Sequence, residues 1–140
     1  NILGLQSATY QAAEEKGRIK QFKQRVQEFT GSEPRLFARN TYDAMNVLGL
    51  AMKATAVANT QITSANVADN IRTVTAPSGT VVTSYTEGAS TVSNQNTLDY
   101  RGLIGPIDFN EHGDVSSPFA IMQSNSGSWT ELAVIPPSEL

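Results

Sequence analysis

The chain has 140 residues, the size of one ordinary domain and too small for two. It contains no cysteine, which excludes disulfide frameworks, thiolate metal sites and thiol nucleophiles. The net charge of −3 argues against a nucleic-acid partner, and the lack of an apolar run of about 18 residues argues against a membrane-spanning helix. Leu, Ile, Val and Phe make up only 32 residues, so the predicted core is lean.

The first two elements are predicted to be a short strand and a long amphipathic helix. Residues 2–9 read as a strand, and the helix is predicted from Ala12 to Phe29. Its apolar face follows the helical period and consists of Ile19, Phe22, Val26 and Phe29. Gly31 is a typical C-terminal stop, because glycine readily adopts the left-handed conformation that ends many helices.

A second helix is predicted from Thr41 to Ala58. Asn40 is its predicted cap, and Asp43, three residues later, would complete a capping box. The predicted buried stripe consists of Met45, Leu48, Met52 and either Ala51 or Thr55. The many Ala and Gly residues of this helix would let it pack closely against a sheet or another helix.

The middle of the chain gives weaker signals. A third helix is predicted from Ala65 to Val74, with Ser64 as its cap. Its inward residues are predicted to be Val67, Ile71 and Val74. A short strand is predicted from Thr80 to Thr83. Residues 86–99 are polar and without a clear period, so that both a frayed helix and a surface loop fit.

Three compact strand signals follow. They cover residues 103–109, interrupted by Gly105-Pro106, then 119–123 and 129–135. Asn125-Ser126-Gly127 is a predicted hairpin turn, and residues 110–114 form a predicted tight turn in which Gly113 can take a positive φ. Helices followed by mostly antiparallel strands indicate an α/β or α+β domain, and the partner of the first strand stays open.

One cluster of polar residues could in principle carry chemistry. His112, the only histidine, lies close in sequence to Asp108, Glu111 and Asp114. A metal site needs more ligands in a fixed geometry, and a catalytic triad needs a nucleophile. The favoured interpretation is therefore a solvated turn in which Asp114 bonds to the local backbone.

The segment Arg35–Met45 is the more interesting candidate, because it is a loop leading into a helix. Free backbone N–H groups at a helix start suit a carboxylate, and an aromatic residue beside them can wall an apolar pocket. The alternative from the residues alone is that Phe37 and Tyr42 belong to the core and that Asp43 is a cap.

The order of the motifs resembles that of the type I periplasmic solute-binding proteins, in the leucine/isoleucine/valine-binding branch of transporter receptors. The matching pieces are Phe29-Thr-Gly31, Pro34, Phe37, Tyr42-Asp43-Ala44, Asn70-Ile71-Arg72, Tyr100-Arg-Gly102 and Gly105-Pro-Ile-Asp-Phe109-Asn110 with Gly113-Asp114. The resemblance implies an α/β chain that is a fragment of a periplasmic-binding-protein-like type I fold, with helices packed on a sheet and C-terminal antiparallel strands. About residues 10–116 would complete one lobe, whereas 1–9 and 117–135 would be hinge and second-lobe strands.

The implied function is non-catalytic: the ligand-binding component of an ABC importer for branched-chain or related amino acids. The alternative is the ectodomain of a sensory receptor with the same fold. The implied ligand-binding residues are Phe37, Asn40 and Asp43, while the charge of Arg39 argues against a purely aliphatic ligand.

The resemblance also implies partners and a location. The partners would be a small-molecule ligand and a membrane permease, with no nucleic acid, cofactor or metal. The location would be periplasmic or extracellular, with or without a lipid anchor. A single piece of a two-lobe receptor should bind amino acids weakly or not at all, and its exposed sheet edges favour self-association.

Overall fold

The structure is a computed structural model that describes residues 2–7, 13–35, 37–94, 96–115, 119–125 and 128–135. The helices are α1 (Ala13–Thr30), α2 (Ala38–Val57), α3 (Ser64–Thr73) and α4 (Tyr85–Ser93). The strands are β1 (Ile2–Ser7), β2 (Thr80–Val82), β3 (Leu98–Gly102), β4 (Gly105–Pro106), β5 (Phe119–Asn125) and β6 (Ser128–Ile135). None of the helices in these ranges is long and apolar enough to cross a membrane.

The strands form two small sheets. In one, β5 lies between β1 and β6 and pairs antiparallel with both. In the other, β3 lies between β2, which is parallel to it, and β4, which is antiparallel. The predicted fold class is therefore confirmed: the chain is α/β, with helices packed on a sheet and antiparallel strands at its C-terminal end.

The predicted N-terminal and C-terminal strands are confirmed as β1, β5 and β6. The first strand finds its partner at the far end of the chain, since Ile2 pairs with Ser124 and Ser7 with Phe119. The pairing of Asn125 with Ser128 gives the expected hairpin, although Ser126 and Gly127 themselves lie outside the described residues. The predicted end of the first strand, at residue 9, and the predicted start of the first helix, at Ala12, also lie outside the described residues.

Helix α1 ends as predicted, but its apolar face is only partly buried. Gly31 follows the helix with φ 72°, and its N–H bonds to the carbonyl of Gln27. Ile19 is buried, and Phe22 and Val26 are half-buried. Phe29 is 91% exposed, so the C-terminal end of the apolar face does not reach the core.

Helix α2 buries a different face from the predicted one. Its buried residues are Asp43, Val47, Leu50, Ala51 and Thr55. The predicted burial of Ala51 or Thr55 is therefore confirmed, whereas Met45, Leu48 and Met52 lie on the exposed side. The helix has apolar residues on two faces, and periodicity does not choose between them. Gly88 of α4 lets Leu50 approach so closely that a Cβ there would overlap its side chain, which fixes the inward face.

The predicted caps of the helices are shifted or wrong. The N-cap of α2 is Phe37, without a side-chain hydrogen bond, and Asn40 is the third residue of the helix. Asp43 lies in the second turn and forms no capping box. In α3 the cap is Thr63 rather than Ser64, and its hydroxyl accepts from the N–H of Asn66.

The ambiguous polar stretch, residues 86–99, contains most of helix α4 and the start of the central strand β3. Ser84 caps α4 by accepting from the N–H of Glu87, whose carboxylate in turn accepts from Thr83. The strand β3 follows, with Leu98 and Tyr100 fully buried. The predicted strand over 103–109 is wrong, because Leu103 and Ile104 form the turn between β3 and the two-residue β4.

The core lies between the helices and the β2–β3 pair. It is a cluster of buried residues from α2, α3, α4, the β2–β3 pair and the positions just after α3 and β4, namely Val47, Leu50, Ala51, Val67, Val74, Val82, Val92, Leu98, Tyr100 and Ile107. The inward positions Val67 and Val74 of the third helical segment are thus confirmed, while Ile71 is half-buried against the cluster.

Candidate functional site

The start of α2 carries an exposed and strained aromatic residue. Phe37 is 66% exposed, and its backbone has φ 66° and ψ 1°, in the left-handed region. A bulky residue without glycine's freedom adopts that conformation at a cost of about 1–3 kcal/mol, and such residues cluster at functional sites. The interpretation of Phe37 as a core residue is therefore wrong.

Asn40 lies on the rim of an apolar cavity of about 270 Å³ beside the first half of α2. The cavity extends between α2, Ile71 of α3 and the segment that follows β4. Its apolar lining consists of Ala44, Val47, Leu48, Ile71, Ile104, Ile107, Phe109 and Val115. Asn40 and Asp43 are the polar residues of this lining, and Phe37 is not part of it.

Asp43 is buried and holds α2 against the turn between β3 and β4. Its two carboxylate oxygens accept from the backbone N–H groups of Leu103 and Ile104, both at 2.9 Å. Burial raises the pKa of the Asp43 carboxyl, and the two backbone hydrogen bonds act in the opposite direction because they favour the charged form. Asp43 is therefore an internal anchor rather than an exposed helix cap.

A tyrosine and an asparagine complete this network, which we call the Asp43 anchor (Asp43, Asn46, Tyr100 and the N–H groups of residues 103 and 104). The Tyr100 hydroxyl donates to Asp43 at 3.2 Å and accepts from the Asn46 amide at 2.8 Å. Burial and the negative charge of Asp43 both raise the pKa of Tyr100, so its hydroxyl keeps its proton. A Cβ on Gly102 would overlap the Asp43 carboxylate, so glycine is required there.

Helix α1 is tied to the same end of the sheet. The guanidinium of Arg18 donates to the carbonyls of Thr83, Arg101 and Gly102, at distances of 3.2, 3.0 and 3.1 Å. The rings of Phe22 and Tyr42 lie 5.3 Å apart in a tilted contact between α1 and α2. A second cavity of about 400 Å³ opens between α1 and a wall formed by Tyr42, Thr83, Ser84 and Leu103.

The structure brings two of the three predicted ligand-binding residues together. Asn40 and Asp43 line one cavity, whereas Phe37 lies one turn earlier on the exposed surface. Their ligand-binding roles stay predictions. Sequence reasoning missed Arg18 and Tyr100; the spacing Tyr100-x-Gly102 was a usable signal, but nothing around Arg18 distinguished it from its basic neighbours.

The turn around His112 is solvated as expected, except that Asp108 before it is half-buried. His112 and Glu111 are exposed. The Asn110 side chain, rather than that of Asp114, organises the turn by accepting from the N–H groups of His112 and Asp114, both at 2.9 Å. Within the part of the chain that the structure describes, no three potential metal ligands lie together.

Comparison with known proteins yields a likeness in fold. No protein-family model and no curated protein sequence matches the chain. Among solved structures, the leucine-binding protein LivK of Thermotoga maritima matches with a TM-score of 0.56 and 21% sequence identity. The match covers 99% of this chain and 32% of that protein, so the chain spans about a third of its length. The chain thus has the fold of a part of a periplasmic-binding-protein-like structure.

Proposed function

We propose that the chain is the C-terminal portion of a two-lobe solute-binding protein. In this proposal, about residues 10–116 complete one lobe, and residues 1–9 and 117–135 supply the hinge and strands of the second. The observation that carries it is the fold match to a leucine-binding protein over 99% of the chain. The pairing of β1 with β5, which joins the two ends of the chain, agrees with strands that cross between lobes side by side.

The proposed ligand is a branched-chain or related amino acid. Phe37 offers an exposed aromatic face, and Asn40 offers an amide beside an apolar cavity of about 270 Å³. An apolar wall with a few polar groups is typical of small-ligand sites, and the first N–H groups of α2 suit a carboxylate. Asp43 acts by positioning, because its oxygens already accept from the turn and from Tyr100.

The proposed mechanism is closure of two lobes without catalysis. A solute that touches both lobes stabilises the closed state by its higher affinity for that state. A membrane permease of an ABC importer would then bind the closed form. Such a receptor acts in the periplasm or outside the cell, with or without a lipid anchor.

The test is calorimetric titration of the complete gene product that contains these residues. Leucine, isoleucine and valine are the probes, with aspartate and lysine as dissimilar amino acids. We expect micromolar or tighter binding of at least one apolar probe. The isolated 140-residue chain should bind the same probes weakly or not at all, since it covers only 32% of the matching protein and, in this proposal, the solute touches both lobes.

A matched pair of variants tests the site. Phe37→Ala should weaken binding of the best probe about tenfold or more, because losing a buried aromatic contact costs about 1.5–3 kcal/mol. Phe29→Ala removes an even more exposed aromatic from α1 and should leave binding unchanged. Equal effects of the two substitutions would contradict the site, and a gene product that binds none of the probes would contradict the function.

A further inference from the structure

The second cavity, which we call the α1 cavity, lies at the carboxyl ends of the two parallel strands. Thr83 and Ser84 come directly after β2, Leu103 comes directly after β3, and all three line the cavity. In open α/β sheets, ligands bind in the crevice outside the carboxyl ends of the strands. At about 400 Å³ the cavity is also large enough for a small molecule, so both its place and its size are those of a ligand site.

The α1 cavity is separate from the cavity proposed for the amino acid. Among the described residues, none lines both cavities. Leu103 lines the α1 cavity and the next residue, Ile104, lines the other, so the turn between β3 and β4 lies between them. What the α1 cavity can bind is therefore decided by its own lining.

One face of α1 makes the α1 cavity positively charged. Arg18, Phe22 and Arg25 all line it, and their spacings of four and three residues place them on the same side of the helix. No acidic residue is among its described lining residues. Glu87 accepts from the N–H and the hydroxyl of Thr83, but it does not line the cavity itself. The cavity therefore favours an anion.

The two arginines differ in what they already bind. Arg18 uses three of its five N–H donors on carbonyls at the ends of β2 and β3. Arg25 is exposed, and no carboxylate among the described side chains pairs with it. The carboxylate of Glu28, one turn later, accepts from Gln24 instead. A guanidinium binds a carboxylate through two parallel hydrogen bonds, so Arg25 has the capacity to hold one.

Two aromatic rings line the α1 cavity beside the arginines. The rings of Phe22 and Tyr42 lie 5.3 Å apart in a tilted contact, and both residues line the cavity. Phe22 is half-buried and Tyr42 is 42% exposed, so neither ring is sealed in the core. A further ring can pack against such a pair in an offset or edge-to-face arrangement. Phe22 is one helical turn from Arg25, close enough for a ring beside Phe22 to bring its carboxylate to the guanidinium.

We propose that the α1 cavity is a second binding site, which takes a small aromatic carboxylate. Arg25 pairs with the carboxylate, and the ring packs against Phe22 and Tyr42. Arg18 adds positive charge at the inner end and holds α1 in place through the strand ends. The site goes beyond the proposed function and does not depend on it, because residues of this chain form the cavity.

Calorimetric titration of the complete gene product tests this site, with benzoate and 2-naphthoate as probes. Benzamide and 2-naphthamide are the matched neutral compounds, since each has the same ring and lacks the charge. We expect at least one carboxylate to bind about tenfold or more tightly than its amide, because the amide cannot form the charged pair with Arg25. Equal affinities of carboxylate and amide, or no binding of either carboxylate, would overturn the proposal.

Three substitutions on α1 locate the charged contact. Arg25→Gln should weaken binding of the better probe about tenfold or more. Arg25→Lys should weaken it less, because lysine keeps the charge but loses the planar fork. Lys23→Gln is the control: Lys23 is exposed on the same helix and does not line the cavity, and the substitution removes the same charge. It should change the affinity less than about twofold. Equal losses with Lys23→Gln and Arg25→Gln would overturn the site, since the probe would then respond only to overall charge.

Competition separates the α1 cavity from the amino-acid site. An excess of the amino acid that the complete gene product binds best should leave the affinity for the carboxylate unchanged, and displacement of the carboxylate would overturn the proposal. Carboxylate binding that depends on Arg25, in a gene product that binds no leucine, isoleucine or valine, would refute the amino-acid role and support the α1 cavity. Amino-acid binding without carboxylate binding would refute the α1 cavity alone.

Discussion

The region around α2 and β3 and the sheet of β1, β5 and β6 are stabilised in different ways. In the first, side chains from three helices and the β2–β3 pair meet in one buried cluster. In the second, strands pair over long ladders, but none of the described side chains of β5 and β6 belongs to that cluster. Ala120 is its only buried side chain among those described, and Leu132 and Val134 are about half exposed.

This difference indicates where the stability of the chain is concentrated. Burial of apolar side chains contributes about 1.5–3 kcal/mol each, whereas an exposed ladder adds mainly backbone hydrogen bonds of small net value. A three-stranded sheet needs a hydrophobic face or packing against a helix for independent stability. We therefore expect the α2–β3 region to hold most of the free energy of unfolding and the terminal sheet to open first.

The largest expected difference in stability is between two variants, each with one leucine replaced in one of the two regions. Leu98→Ala removes a fully buried side chain from β3 and should lower the free energy of unfolding by about 3–4 kcal/mol, because it leaves a cavity. Leu132→Ala removes a 53% exposed side chain from β6 and should cost less than about 1 kcal/mol. Urea denaturation followed by circular dichroism measures both. Similar losses would show that the two regions share the core equally.

A smaller effect is expected from the Asp43 anchor. Asp43→Ala leaves the N–H groups of Leu103 and Ile104 without an acceptor and should cost about 3 kcal/mol. Asp69→Ala removes an exposed carboxylate from α3 and should change the stability by less than about 0.5 kcal/mol. The same denaturation assay compares them, and a loss at Asp43 no larger than at Asp69 would contradict the anchor.

The smallest effect concerns Asp108, whose pKa is raised by burial first and by the negative charge of Asp99 second. Because the folded state holds the proton more tightly than the unfolded chain, this carboxyl stabilises the fold below the ordinary pKa of Asp. That contribution is lost as the pH rises through the raised pKa.

Asp108→Asn should therefore be slightly more stable than the natural chain at pH 7 and lose that advantage toward pH 3.5. The expected gain at pH 7 is below about 1 kcal/mol. Urea denaturation at several pH values between these limits measures the difference. A variant that is less stable than the natural chain at pH 7 would contradict the conclusion that burial and the charge of Asp99 disfavour the ionised form of Asp108.

The elements with strong local signals were predictable, and those that depend on distant partners were not. Periodicity and Gly31 located α1, and the turn residues located the β5–β6 hairpin. The central strand β3 was missed, because it is short, has only Leu98 and Tyr100 as apolar residues, and buries Asp99, a residue type that is depleted in strands. Asp43 was predicted to be a cap, because its real partners lie 57 to 61 positions away in sequence.

By itself the sequence narrowed the fold class to α/β or α+β and predicted the approximate places of most elements. These follow from spacing and local backbone preference, which act over a few residues. Only the tertiary structure decided which face of α2 is buried, which strand is central and what Asp43 holds. Those outcomes depend on close approach between segments far apart in the chain, such as Gly88 against Leu50, and no local pattern encodes that contact.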